Sequence, residues 1–363
     1  MGGYELPEIS GDLSVPARVE GEGTQSMGEG PSSTRELSSS AALPRLAQPW
    51  KLIVAVVGAT ASGKSDLALD LAEKLPEYLE APGNAELISA DSMQFYRGMN
   101  IGTAKTPLED RRGIPHYHID TLDITQEASA ALYQQQARAD VRQIHSRGNM
   151  VIVAGGSGLY QRALLDVIDF PGTDPAIRRR LEAEAQRLAD THELHRRLAE
   201  NDPVAARHID PNNTRRIIRA LEVIELTGKP YSATMPQRVY YQPTVMLGIQ
   251  RPLEELDTRI AVRTQKMFDE GLVEEVHSLI PLGLREGKTA SKATGYAQAL
   301  AYIDGHISLD EARDSVALAT RQLARRQLKW LRPDHRVIWL PPAAPEQLLE
   351  QAVQAVTYHL ARC

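Results

Sequence analysis

From Lys51 the chain passes through an unbroken apolar run, Leu52-Ile53-Val54-Ala55-Val56-Val57, and stops at Gly58. A run this short and this rich in β-branched residues predicts a strand covered on both faces. A helix-like stretch from Lys64 to Leu75 follows. Two more runs have the same form: Glu86-Leu87-Ile88-Ser89-Ala90 ends at Asp91, and Met150-Val151-Ile152-Val153-Ala154 ends at Gly155-Gly156. Helical periodicity between about Ala128 and Arg147 separates them, and further short strands are predicted at Val245–Ile249 and Arg336–Leu340. Strands alternating with helices predict an α/β fold with a mostly parallel sheet, in which ligands collect at the carboxyl ends of the strands.

Beyond Pro171 the pattern turns helical, over Pro175–Asn201 and Asn212–Thr227. After a Pro-containing link from Lys229 to Pro243 it is helical again over Pro252–Ile280. The expected organisation is an α/β core of residues 49–170 and 246–345, an all-helical insertion at 171–245, and a C-terminal helix or tail at 346–363. Residues 1–48 show no apolar period. With seven acidic and three basic residues amid Gly, Ser and Pro, they read as a disordered acidic tail and not as a signal or transit peptide.

Composition changes this picture in a few places. A chain of 363 residues with 42% hydrophobic and 24% charged content has ample material for a globular core. No stretch approaches the roughly 18 apolar residues of a membrane span, so no membrane partner is expected. The one cysteine is Cys363, which excludes a disulfide framework or a multi-cysteine metal site and points to a reducing, cytoplasmic compartment. The net charge of −6 is concentrated in the first 48 residues, which leaves the remainder nearly neutral. His116 with His118, and His192 with His195, have spacings compatible with metal pairs. Neither has a third ligand nearby, so neither is read as a site.

Gly58-Ala59-Thr60-Ala61-Ser62-Gly63-Lys64-Ser65 fits GxxxxGK[ST] and stands between a predicted strand and a predicted helix, the context a phosphate-binding loop requires. Backbone N–H groups and the helix N-terminus would hold phosphate oxygens, Lys64 would meet the terminal phosphates, and Ser65 would ligate Mg²⁺. A guanine-reading NKxD is absent. So is a plain aliphatic run ending in an acid, which weakens a motor reading. Asp91-Ser92-Met93-Gln94 follows the second strand. Asp91 there suits proton acceptance, capping of the next turn, or holding a Mg²⁺-bound water, and the Gln94 amide suits an adenine edge. Ser157, in Gly155-Gly156-Ser157-Gly158, would place a hydroxyl beside Asp91 or cap a helix.

Five segments in this order, GATASGKS (58–65), SADSMQFYRGMNIGTAK (89–105), VAGGSGLY (153–160), DPNNTRRIIRALEV (210–223) and ATRQLARRQLKWLR (319–332), resemble bacterial tRNA dimethylallyltransferases. The resemblance spans about residues 51 to 340 and implies a P-loop NTPase-like core. It also implies transfer of a dimethylallyl group from its diphosphate to N6 of the adenine beside the anticodon, with diphosphate released. The resemblance makes Asp91 the general base, assisted by the hydroxyl of Ser157 where the family usually has threonine. It makes Lys64 and residues 58–65 the diphosphate site, and Arg263 a further diphosphate contact that would otherwise be a solvated helix arginine. Asp91, Ser92, Met93, Gln94, Ser157, Arg178, Arg215, Arg216, Arg219, Arg321 and Arg325 become tRNA contacts.

The charge pattern is compatible with an RNA partner. Arg313, Arg321, Arg325, Arg326, Lys329, Arg332 and Arg336 stand against Asp314 and Asp334, with Arg321, Arg325 and Arg332 near one helical face. Gln322 and Gln327 are in reach of base edges on this reading. An ordinary solvated basic face has the same pattern. One departure is Ala297 after Gly295-Tyr296, where the family usually carries a larger polar or basic residue. No Cys/His finger follows the core, as in bacterial relatives. A monomer is expected. The rival readings are an adenylate isopentenyltransferase acting on free nucleotide, a P-loop small-molecule kinase, and an ATP-sensing RNA-binding protein.

Overall fold

The computed structural model describes residues 48–188, 192–234 and 238–362. The acidic stretch 1–47 and Cys363 lie outside them. Strand β1 (Ile53–Val57) leads through the glycine loop into α1 (Lys64–Tyr78), followed by β2 (Ala85–Ser89), β3 (His116–Tyr117), α2 (Ala130–Ser146), β4 (Met150–Ala154) and α3 (Gly158–Leu165). Helices α4 (Pro175–Arg187), α5 (His192–Asn201), α6 (Pro203–His208) and α7 (Thr214–Thr227) come next, before β5 (Thr244–Ile249). Then follow α8 (Leu253–Asp269), α9 (Leu272–Leu279), α10 (Tyr296–Ile303), α11 (Leu309–Leu331), β6 (Val337–Leu340) and α12 (Pro345–Leu360).

The six strands form one sheet in the order β3-β2-β4-β1-β5-β6, every neighbouring pair parallel. Alternation along β1 sends Val54 and Val56 to one face, where Leu67, Leu71 and Leu75 of α1 cover them. It sends Ile53, Ala55 and Val57 to the other, against Val141 and Ile144 of α2 and Leu164 of α3. The last helix is part of this packing: Leu348, Ala352, Val353 and Val356 of α12 join the first cluster, so the segment read as a C-terminal helix or tail covers the sheet.

Register fixes the functional edge. Val56 pairs with Ala154, and Ala154 with Ser89, so β1, β4 and β2 end on one level and release the loops after residues 57, 154 and 89 side by side. Gly155 permits the close approach of two of these loops. A Cβ there would lie 2.4 Å from the Ala90 carbonyl carbon, a backbone atom that cannot step aside.

Three differences from the sequence reading have local causes. The long helix expected over Pro252–Ile280 breaks at Gly271, whose φ of 98° ends α8 and starts α9. The one expected over Pro175–Asn201 ends α4 at Leu188, which turns to extended backbone. Strand β3 is a two-residue edge strand without an apolar run to announce it. His116, in the strand, and His118, just after it, serve locally: His116 Nδ1 lies 2.7 Å from the Ile114 carbonyl and His118 Nε2 lies 2.8 Å from Asp140. His195 Nε2 faces the carbonyls of Ala206 and Ile209 at 3.1 and 3.0 Å.

Helices α4 to α7 enclose a cluster of their own, with Leu181, Leu194, Leu198, Ile217 and Leu221 buried. Glu222 of α7 is fully buried and ties this unit together. It accepts hydrogen bonds from the Thr173 hydroxyl, from Arg178 of α4, and from Arg219 at 2.8 Å. Burial alone would raise its pKa, but the donors from Arg178, Thr173 and Arg219 outweigh it and hold it down at about 2. This stabilisation is therefore complete above the ordinary glutamate value of 4.5 and is lost as pH falls toward 2. Glu222→Ala is expected to destabilise the protein by about 3 kcal/mol, the low end for breaking a buried ion pair, because both guanidiniums keep contact with water. Urea unfolding at neutral pH measures this, and the loss should shrink in acid.

Candidate active site

The phosphate loop is shaped from outside. Gly63 caps α1 with φ 97°, and Ala61 is held at φ 62°, a conformation costly for a residue with a side chain. Three of its carbonyls are occupied: Lys64 Nζ donates to Ala59 at 2.7 Å, Arg259 Nε to Ala61 at 2.7 Å, and Arg251 Nε to Ser62 at 2.8 Å. The Thr60 N–H, expected among the phosphate donors, is instead given to Gln327 Oε1 at 2.7 Å. Thr60, Lys64 and Ser65 line a cavity of about 180 Å³. Burial lowers the Lys64 ammonium to a pKa of about 8, against the pull of Asp91 and aided by Arg263.

Asp91 faces the same cavity. Its Oδ1 accepts the Met93 N–H at 3.1 Å, so it does cap its own turn. Burial raises its pKa above the usual aspartate value, opposed by the Met93 N–H, the charges of Lys64 and Arg263, and the Ser157 hydroxyl. Ser157 occupies the N-cap position of α3, yet its side chain makes no cap hydrogen bond. The hydroxyl turns instead to the Asp91 loop, accepting the Ser92 N–H at 3.2 Å and standing 3.3 Å from Ser92 Oγ. Arg263 of α8 also lines the cavity, and burial lowers its pKa against the pull of Asp91 and Asp66. It is not the solvated helix arginine that its sequence alone allowed.

Beyond Asp91 the cavity wall is mixed: Leu87, Met93, Ile260, Met267, Val316 and Leu323 give it apolar patches, between which Thr103, Thr264, Thr294 and Thr320 place hydroxyls. Gln94 lines it as well; its Oε1 accepts from Ser89 Oγ at 3.0 Å. The wall's backbone at residues 100–102 is held by a residue the sequence reading did not select. Glu275 of α9 accepts the N–H groups of Asn100, Ile101 and Gly102 at 3.0, 2.8 and 3.4 Å and the Tyr296 hydroxyl at 2.5 Å. Lys105, inside a recognised motif but given no role, is buried and donates to the Tyr96 carbonyl at 2.8 Å and to Asp120 at 2.7 Å.

The basic residues divide into those spent inside the protein and those facing water. Arg178 and Arg219 are engaged at Glu222, and Arg219 also donates to the Pro171 carbonyl at 2.6 Å. Arg215 and Arg216 are exposed. Arg325 is exposed but forms a bidentate pair with Asp257 at 3.0 and 2.8 Å, while Arg321 is half-buried. Two members of the expected stripe are corrected. Arg336 is buried between Asp166 and Asp334, and Arg313 pairs with Asp310 beside the Phe268 ring. Gln327 is also corrected as a base contact: it is 5% exposed, with both ends of its amide used internally. Its signal was present in the sequence, since Ala324, Gln327, Leu328 and Leu331 share the buried face of α11 and Gln327 is the polar member.

A parallel sheet that aims a phosphate loop, a half-buried lysine and a desolvated carboxylate into one cavity defines a P-loop group-transfer enzyme. The chain belongs to the IPP transferase family, whose profile matches residues 94–334. It is 50% identical over 311 residues to the tRNA dimethylallyltransferase of Paenarthrobacter aurescens, covering 85% of this chain and 96% of that protein. Its identity to the tRNA dimethylallyltransferase of Thermobifida fusca is 51%, covering 86% and 96%. Among solved structures, the tRNA isopentenylpyrophosphate transferase of Bacillus halodurans is 35% identical with a TM-score of 0.59, over 85% of this chain and 99% of the other. A eukaryotic dimethylallyltransferase acting on tRNA is 27% identical with a TM-score of 0.70, over 83% and 76%.

Proposed function

We propose that this chain is a tRNA dimethylallyltransferase that transfers the dimethylallyl group from dimethylallyl diphosphate to N6 of the adenine beside the anticodon, releasing diphosphate. The observation that carries the reading is the cavity that residues of the phosphate loop and Asp91 line together, with apolar patches beside them. The loop with Lys64 and Arg263 offsets charge on the leaving diphosphate as the allylic carbon–oxygen bond breaks. The adenine nitrogen forms the new carbon–nitrogen bond, and its proton passes to Asp91, whose hydroxyl neighbour Ser157 orients the carboxylate. The apolar patches from Ile260, Met267, Val316 and Leu323 suit the five-carbon group. The Ser65 hydroxyl, on the cavity wall, fits a hard cation such as Mg²⁺, which would share the diphosphate charge.

A buried acceptor site requires a base withdrawn from its stack, which favours single-stranded anticodon-loop RNA over a duplex. The exposed Arg215, Arg216, Arg326 and Lys329 supply cationic surface for its phosphates. Labelled dimethylallyl diphosphate offered with tRNA or with AMP separates this reading from an adenylate isopentenyltransferase: label is expected on tRNA, and label on AMP alone would overturn it. We place the enzyme in the cytoplasm, with its substrate tRNA.

The two titrating groups predict a bell-shaped pH profile of kcat/KM for the prenyl donor. The alkaline limb should fall near pH 8, as Lys64 loses its proton, and the acid limb should lie above the ordinary aspartate value of 3.8, as Asp91 gains one. In Lys64→Arg the remaining activity should lose the alkaline limb, because a guanidinium stays charged. Steady-state rates across the pH range check both.

A further inference from the structure

Two loops from different strands must keep one spacing for this reaction, because the leaving oxygen is held by residues 58–65 and the nucleophile by the Asp91–Ser157 pair. One side chain touches both. Gln327 Oε1 accepts the Thr60 N–H at 2.7 Å, and its Nε2 donates to the Gly156 carbonyl at 2.9 Å. The amide is buried. The second loop leaves space for it: a Cβ on Gly156 would fall 2.5 Å from Nε2, while only reaching ordinary contact, 3.7 Å, with Asp91 Oδ2. Gly156 in turn precedes Ser157, whose hydroxyl bonds the Asp91 loop.

Resting on the prenyl-transfer reading, we propose that Gln327 is a positioning residue that sets the distance between the diphosphate loop and the nucleophile loop, and that it does not read RNA bases. Its amide oxygen and nitrogen are fixed relative to each other, so the two loops are indexed to one rigid group on α11. A displacement needs its reacting atoms within about 3–3.5 Å, and a misplacement of about 1 Å can cost on the order of 10²-fold in rate.

Two substitutions test this through the same contact from opposite sides. Gln327→Met removes both hydrogen bonds at similar volume, and Gly156→Ala drives the amide out while leaving the glutamine in place. Each is expected to lower kcat for prenyl transfer by about 10²-fold with the tRNA dissociation constant unchanged. The double variant should be no slower than the slower single one, because the contact is already gone. Titration with inorganic diphosphate, without RNA, should show weaker binding in Gln327→Met as the Thr60 end of the loop relaxes. A variant that loses tRNA affinity at full kcat would overturn the proposal in favour of base reading. Multiplicative losses in the double variant, or unchanged kcat and diphosphate affinity with only a lower melting temperature, would also overturn it. Wild-type protein that binds diphosphate but alkylates no RNA defeats the prenyl-transfer reading instead, and the diphosphate titration still reports on the clamp.

Discussion

Asp91→Asn is expected to slow dimethylallyl transfer by about 10²- to 10⁴-fold while leaving tRNA affinity close to that of the wild type. Asparagine keeps the shape and the oxygen that accepts the Met93 N–H, so the turn that Asp91 caps stays formed. What it loses is the ability to take a proton from the adenine amine. Removing the negative charge also takes the Asp91 counter-charge from Lys64 and leaves Arg263 with Asp66, so diphosphate binding should be retained or tightened. Single-turnover rates with tRNA and donor at saturation measure the chemical step directly. Wild-type rates in this variant would reduce Asp91 to the capping role that its sequence position also allowed.

Lys64→Ala should lower kcat by about 10²- to 10³-fold, the scale for removing one preorganised group from a developing negative charge. It should also raise KM for the donor. The same substitution has a second signature. Lys64 is one of the charges that holds the Asp91 pKa down against burial, so its removal should move the acid limb of the kcat/KM profile to higher pH. A variant with reduced activity but an unmoved acid limb would mean that the two groups do not share one field.

The parts of this site that were legible in the sequence are those where one local pattern serves one purpose. The apolar run before Gly58 and the GxxxxGK[ST] spacing specify a strand, a loop and a helix without reference to the rest of the chain. Asp91 and Ser157 were legible because each follows a strand end, and parallel register brings such ends to one level. Neither the cap nor the base reading of Asp91 could be excluded from sequence, and the structure shows why: Oδ1 caps the turn while the carboxylate faces the cavity. What stayed hidden depends on contacts between distant segments. Arg251, just before α8, and Arg259, on it, look like ordinary surface arginines until the fold lays them on the carbonyls of Ser62 and Ala61. Glu275 reads as solvated charge, yet it collects three backbone N–H groups from the 100–102 turn. Arg336 fitted a basic stripe by spacing alone, and its burial against Asp166 is a tertiary fact.

The proposed role of the cavity, holding a leaving diphosphate while carbon is captured by an RNA nitrogen, separates it from phosphoryl transfer by a kinase or motor. Mass analysis of nucleosides from tRNA incubated with the protein, Mg²⁺ and dimethylallyl diphosphate tests it most directly. The expected product is an adenosine in which one dimethylallyl group replaces an N6 hydrogen, with one diphosphate released per modified base. Unmodified adenosine throughout the tRNA, together with steady consumption of ATP, would contradict it.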